Sequence, residues 1–143
     1  MTMQTLLKIA ALSILLLTTL NTSAGIVVIV NKDNPIVELS KREIIDLYMG
    51  RNLYFSDGKL ALRLDQPPTS AEREQFYQQL VKKSVAQVNA YWAKLLFTGR
   101  ASPPMLMDNA DQLLDTVRNN RSAIGYIDEA KLDETVKVVG RVD

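Results

Sequence analysis

Ile26-Val27-Val28-Ile29-Val30 is an uninterrupted run of β-branched residues in a chain of 143 residues. Such a run is typical of a strand that is buried on both faces, as in parallel sheets covered by helices. The turn residues of Asn31 to Pro35 follow it and end the strand. The run therefore predicts a strand covered on both sides within an α/β fold.

Helix and strand signals follow along the rest of the chain. Ser40 and Ser84 each have Glu or Gln three residues later, which is the spacing of a capping box at the start of a helix. Helices are predicted to begin after Ser40, at Thr69 or Ser70, after Ser84 and after Asp108, and further strands are predicted at Leu60–Leu64, Ala123–Ile127 and Val136–Val139. The order β-α-β-α-α-α-β-β predicts an α/β fold with a mainly parallel sheet flanked by helices.

The composition excludes several classes of function. The chain has 17 Lys and Arg against 16 Asp and Glu, so its net charge of +1 offers no basic face, and we expect no nucleic-acid partner. It has no Cys and no His, which excludes a thiol nucleophile, an imidazole base and a Cys/His zinc site. We therefore expect neither an enzyme nor a bound metal or cofactor.

Met1–Ala24 has the pattern of a secretory signal peptide. Lys8 precedes the apolar run Ile9–Leu20, and small residues stand before Gly25. The run is shorter than the about 20 residues that span a bilayer, and an uncleaved membrane anchor is the alternative. We expect an exported, periplasmic protein without stable membrane insertion after cleavage. Its residues 25–143 contain no repeat or linker and are predicted to form one domain.

Seven short segments together resemble the phosphate-binding proteins of bacterial phosphate ABC transporters. They are Val27–Pro35, Leu39–Ser40, Ile45–Gly50, Ser70–Phe76, Ala90–Trp92, Phe97–Gly99 and Ala123–Tyr126. Their order and spacing carry the resemblance. It implies the fold of a type II periplasmic binding protein, in which two α/β lobes close on an oxyanion. Residues 25–143 suffice for one lobe, so the chain is similar to small exported single-lobe proteins that carry this family's label.

The resemblance also implies where an anion would bind. In the family, Ser-Gly-Thr at a helix N-terminus donates hydroxyl and backbone N–H groups to phosphate, with an Arg nearby. Here Ser70 matches the Ser, whereas Ala71 replaces the Gly and Glu72 replaces the Thr. The candidate site consists of the Ser70 hydroxyl, the N–H groups of Ala71 and Glu72, and the charges of Arg63 and Arg73.

A structural interpretation of the same residues stays open. Thr69 and Glu72 have the spacing of a capping box, in which the Glu72 carboxylate would fold back onto the start of its own helix. That carboxylate would then stand where phosphate should bind. Arg63 and Arg73 would form salt bridges with Glu72, Glu74 or Asp65 instead of binding an anion.

Aromatic residues give a second set of predictions. Helical spacing predicts a core stripe of Val85, Val88, Trp92, Leu95 and Leu96. Tyr54 and Phe55 lie beside the Asp57-Gly58 turn and are predicted to form an exposed patch for protein contact.

Two functions follow as expectations. The first is a non-enzymatic, solute-binding-like protein that binds phosphate or a similar oxyanion in connection with ABC transport. Because one lobe leaves an anion open to water, an ABC permease, another periplasmic protein or a second copy would complete the cleft. The alternative is a periplasmic interaction or accessory module that keeps the lobe without its ligand.

Overall fold

The β-branched run forms the first strand of the protein, whose computed structural model describes residues 25–143. This strand, β1 (Ile26–Asn31), is buried along its whole length. The predicted signal peptide, Met1–Ala24, lies outside the described residues. The predicted burial of β1 on both faces is confirmed.

Five strands and four α-helices make up the described chain. In order they are β1 (Ile26–Asn31), α1 (Lys41–Tyr48), β2 (Leu62–Asp65), α2 (Ala71–Val81), α3 (Val85–Phe97), β3 (Met105–Leu106), α4 (Ala110–Asn119), β4 (Ala123–Asp128), a 3-10 turn (Glu129–Lys131) and β5 (Val136–Arg141). The α/β class predicted from the sequence is confirmed. None of the helices within residues 25–143 has the length and apolar character needed to cross a membrane.

The strands form one mixed sheet in the order β3-β2-β4-β1-β5. β2 is parallel to β3 and to β4, but β1 is antiparallel to both of its neighbours, β4 and β5. The expectation of a mainly parallel sheet therefore fails for the β1 half of the sheet. Burial of β1 reflects helices on both faces, and that coverage says nothing about strand direction.

The two faces of β1 belong to two cores. Val28 and Val30 point into a core formed with α1, α2 and α3, whereas Val27 and Ile29 pack with residues of α4. Burying each such side chain contributes about 1.5–3 kcal/mol. The alternation along β1 thus fixes which helices cover which face of the sheet.

Local signals position the helices that surround the site. The capping boxes predicted at Ser40 and Ser84 are both present. The cap of α4 is Asn109 rather than Asp108, because the Asn109 side chain accepts the hydrogen bond from the N–H of Gln112. β3 was not predicted, since two residues are too short to give a strand pattern.

Candidate anion site at the start of α2

β2 and the start of α2 frame the candidate site. A connection through Pro67 and Pro68 leads to Ser70, which is the N-cap of α2. The Ser70 Oγ accepts a hydrogen bond from the N–H of Arg73 at 3.2 Å and donates one to Gln66 Oε1 at 2.7 Å. The hydroxyl expected to bind an anion is thus engaged within the protein.

Glu72 does not cap its own helix, so the capping box with Thr69 is wrong. Ser70, one residue later than Thr69, is the N-cap and leaves Glu72 at the second helical position. The Glu72 carboxylate turns instead to the end of β4. There its Oε2 accepts hydrogen bonds from the N–H of Asp128 at 3.0 Å and from Gln66 Nε2 at 2.9 Å.

Lys131 completes the surroundings of the Glu72 carboxylate. Its ammonium group forms an ion pair with Glu72 Oε1, and the Glu72 side chain is 14% exposed. Burial alone would raise the pKa of Glu72, but the hydrogen bonds from Gln66, Lys131 and Asp128 outweigh it and lower that pKa. Glu72 is therefore held ionised by a backbone N–H, an amide and an ammonium group, the donors that an external oxyanion would need.

Arg63 is buried, and its hydrogen bonds join it to residues outside the start of α2. Its guanidinium donates to the backbone carbonyls of Leu47 at 3.2 Å and Ser102 at 2.8 Å. Burial lowers the pKa of Arg63 from its ordinary value. In this structure Arg63 ties α1 to the loop before β3.

Arg73 lies in a buried network around Asp65. Arg73 Nε stands 3.7 Å from Asp65 Oδ2, and both side chains are less than 5% exposed. Its other guanidinium nitrogens donate to the Gln66 carbonyl and to Asn89 Oδ1, both at 3.1 Å. The salt bridge to Asp65 was one of the alternatives open from the sequence, but it is internal rather than at the surface.

Two tyrosines that the sequence analysis did not single out hold the same carboxylate. Tyr77 donates its O–H to Asp65 Oδ2 at 2.6 Å, and Tyr126 donates to Oδ1. Burial raises the pKa of Asp65, against the opposing effect of Arg73 and these hydrogen bonds. Burial and the charge of Asp65 raise the pKa of both tyrosines. Every hydrogen bond that Asp65 accepts thus comes from the protein itself, whereas Arg73 Nε has no hydrogen-bond partner among residues 25–143.

A cleft of about 280 Å³ lies over the start of α2. Ser70, Ala71 and Glu72 line one side, and Asn109 and Lys131 line the other. Gln66, Asp128 and Lys131 were missed from the sequence. Lys131 is separated from Glu72 by 59 positions, and no local pattern could have revealed their contact.

The aromatic predictions were correct only in part. Tyr54 is 53% exposed, but Phe55 is buried, so the two do not form an exposed pair. Within the predicted core stripe Val88 and Trp92 are buried, whereas Leu96 is 54% exposed. Phe97 is 93% exposed, which places the apolar surface at the end of α3 instead of beside the Asp57-Gly58 turn.

The described residues form an α/β unit with one mixed sheet covered by helices on both faces. Solved structures share this fold. A crystal structure of an ABC-type phosphate transport receptor from Vibrio cholerae is similar with a TM-score of 0.65 and 17% identity, over 81% of this chain and 45% of that one. The expected fold, one lobe of a type II periplasmic binding protein, is thereby confirmed.

Two further solved structures have a similar fold. A putative phosphate ABC transporter substrate-binding protein from Clostridium perfringens, solved with bound phosphate, is similar with a TM-score of 0.65 and 21% identity over 81% of this chain and 44% of its own. A possible phosphate binding protein from Planctomyces limnophilus is similar with a TM-score of 0.56 and 13% identity, over 81% of this chain and 40% of its own. The chain thus spans less than half the length of these proteins. No family model matches it, and no curated protein is significantly similar to it.

Proposed function

We propose that this protein is an exported, non-enzymatic binding module made of one solute-binding-protein lobe, which acts by contacting another protein in the periplasm. One observation carries the proposal. The Glu72 carboxylate occupies the donors at the start of α2, where it meets the Asp128 N–H, Gln66 and Lys131. The protein therefore supplies its own anion at the position that the resemblance assigns to phosphate.

Free phosphate would have to compete with a tethered carboxylate. A group held in the same molecule acts at an effective concentration of about millimolar or more. Both arginines that the resemblance brings to the site are also bonded elsewhere, Arg63 to two carbonyls and Arg73 to Asp65 and its neighbours. Weak anion binding at most is the expected result.

The buried polar groups also support a non-enzymatic role. Asp65 accepts three hydrogen bonds, and all of its donors come from the protein itself. A general acid or base must reach the proton that it transfers. Asp65 stabilises the junction of β2, β4 and α2 instead.

Binding of phosphate or a similar oxyanion, in connection with an ABC permease, is the second candidate. The cleft of about 280 Å³ and the ammonium group of Lys131 favour it. An anion would enter there if Glu72 moved aside and if a second copy or another protein closed the open side of the cleft. The two candidates make opposite predictions for the purified chain.

Titration calorimetry with phosphate, sulfate and acetate separates them. We expect no binding tighter than millimolar by the natural chain. The double variant Ala71→Gly with Glu72→Thr, which restores the family's residues and frees Lys131, should bind phosphate measurably. Glu74→Thr is the matched control, because Glu74 lies in the same first turn but is exposed. Tight phosphate binding by the natural chain would overturn the proposal.

Protein contact is tested by site-specific photo-crosslinking in the native cell envelope. A crosslinker at Phe97 should capture a defined partner, whereas one at Val37, another exposed apolar position, should not. Equal capture at both positions, or at neither, would contradict the interaction role.

A further inference from the structure

A second cavity of about 260 Å³ lies beside the Asp65 network and apart from the Glu72 cleft. Trp92 and Leu96 of α3 form one wall, and Pro103, Pro104 and Leu106 form the other. Carbon atoms dominate these side chains. The cavity therefore favours an apolar group of the size of one large side chain.

Two buried hydrogen-bond donors at this cavity have no partner among residues 25–143. They are Arg73 Nε and Trp92 Nε1, each with less than 1 Å² of exposed surface, on side chains that both line the cavity. Arg73 is 4% exposed and Trp92 is 5% exposed. A buried donor without a partner costs about 1–3 kcal/mol, so two at one cavity point to an acceptor supplied by a ligand.

Charge balance indicates a neutral acceptor. The positive charge of Arg73 is already compensated by Asp65, whose Oδ2 lies 3.7 Å from Arg73 Nε. A strongly hydrated anion would lose its water against the apolar walls without meeting an unbalanced positive charge. A carbonyl oxygen fits these donors better than phosphate does.

The apolar surface continues outside the cavity. Large apolar side chains that are at least half exposed number seven in residues 25–143, and four of them belong to the end of α3 and to β3. These four are Leu96, Phe97, Met105 and Leu106, which we call the α3–β3 rim. Leu96 and Leu106 also line the cavity. This surface extends beyond what a small molecule would cover and is typical of a protein contact.

We infer that the cavity and the α3–β3 rim bind an apolar peptide segment of another protein. One apolar side chain of the segment enters the cavity. Arg73 and Trp92 shift on binding, so that a backbone carbonyl of the segment accepts hydrogen bonds from Arg73 Nε–H and Trp92 Nε1–H. Neighbouring residues of the segment cover the rim. This inference rests on the proposed interaction role and specifies the surface and the chemistry of the partner.

Trp92 reports on this cavity directly, because it is the single tryptophan of the chain. We would titrate the full chain with N-acetyl-leucinamide and with a capped pentapeptide that has leucine at its centre, and follow tryptophan emission. Both should give a saturable change, and the pentapeptide should bind about tenfold more tightly because it also covers the rim. Inorganic phosphate should give no saturable change, and neither should 2-methylbutane, which has the apolar group without any hydrogen-bond acceptor.

Exposed positions supply the matched variants. Leu96→Glu should weaken pentapeptide binding about tenfold or more, since it places a charge at the cavity. Val37→Glu, at a position that is 80% exposed and does not line the cavity, should leave binding unchanged. Both side chains are at least half exposed, so the fold should tolerate either change.

Several outcomes would overturn the inference. The first is no change in tryptophan emission with N-acetyl-leucinamide or with the pentapeptide, and the second is an equal change with phosphate. The third is an equal affinity for N-acetyl-leucinamide and the pentapeptide, which would indicate a small-molecule site. A dimer that Leu96→Glu dissociates would assign the surface to a second copy. Phosphate calorimetry tests anion binding at the Glu72 site, and photo-crosslinking tests contact with a partner protein. The proposed function is therefore tested independently of the tryptophan titration.

Discussion

Asp65 shows how single side chains hold this molecule together. Its carboxylate is buried and accepts hydrogen bonds from Tyr77, Tyr126 and the N–H of Gln66, while Arg73 supplies the opposite charge. A buried carboxylate is stable only when its acceptors are satisfied. Hydrogen bonds and the charge pair of this network therefore hold β2, β4 and α2 together.

Tyr77→Phe removes one donor to Asp65 and keeps the ring. We expect the free energy of unfolding to fall by about 1–3 kcal/mol, because a buried carboxylate oxygen loses its partner. Denaturant titration measures this change. Tyr91→Phe is the control, since its O–H donates at 2.7 Å to the Met49 carbonyl in a half-buried place and should contribute about 1 kcal/mol or less. Equal losses in the two variants would contradict the role given to Asp65.

The lowered pKa of Glu72 predicts that the free energy of unfolding depends on pH. Its pKa in the folded protein lies below the ordinary value of 4.5, so its contribution is present above that value and is lost as the pH falls through the folded pKa. Glu72→Gln should therefore be less stable than the natural chain at about pH 6, and this difference should shrink by about pH 3. Urea unfolding at both pH values measures it. Asp65 is present in both proteins, so its own titration cancels. A constant difference would show that Glu72 is not held ionised.

Among the secondary structure elements, α4 approaches the sheet closely. Gly125 of β4 allows this, because a Cβ atom there would lie 2.6 Å from Cδ2 and 3.1 Å from Cγ of the buried Leu113. The contact fixes the distance between α4 and β4. Through β4 it also helps to position Asp128, the residue whose N–H binds Glu72.

Gly125→Ala should destabilise the protein by about 1–3 kcal/mol through overpacking against Leu113. Thermal unfolding measures the loss. The double variant Gly125→Ala with Leu113→Ala should lose less than the sum of the two single changes, because the added methyl group then fills the space that Leu113 leaves. Strictly additive losses would contradict the close approach of α4 to β4.

The starts of helices were predictable where the capping residues lie close together in the sequence. The capping boxes at Ser40 and Ser84 bring both partners within three residues, and both are present. The direction of β1 was not predictable, because a run of buried β-branched residues looks alike in either orientation. Strand direction depends on neighbours as distant in sequence as Asp128, which pairs with Ile26.

The sequence predicted where the candidate site lies along the chain but not the hydrogen bonds within it. Ser70, Ala71 and Glu72 do lie at the start of a helix, as the resemblance implies. The partners of the Glu72 carboxylate are Gln66, Asp128 and Lys131, and the last two lie 56 and 59 positions further along the chain. Sequence spacing therefore located the carboxylate but assigned it the wrong hydrogen bonds.

The molecule as a whole has the fold of about half of a phosphate-binding protein, as its coverage of 45% and 44% of two solved structures shows. In the cleft at the start of α2, the Glu72 carboxylate binds the Asp128 N–H, Gln66 and Lys131. Within residues 25–143, four of the seven large apolar side chains that are at least half exposed lie at the end of α3 and at β3. These two features are the basis of the proposed role in protein contact.

The most direct test follows the backbone amides of Ala71 and Asp128 by NMR during a phosphate titration. In the natural chain Glu72 already holds the Asp128 N–H, so we predict that neither resonance shifts in millimolar phosphate. In the double variant Ala71→Gly with Glu72→Thr, the amides at positions 71 and 128 should both shift and saturate. Saturable shifts of both amides in the natural chain would contradict the account, because phosphate would then bind where Glu72 is placed.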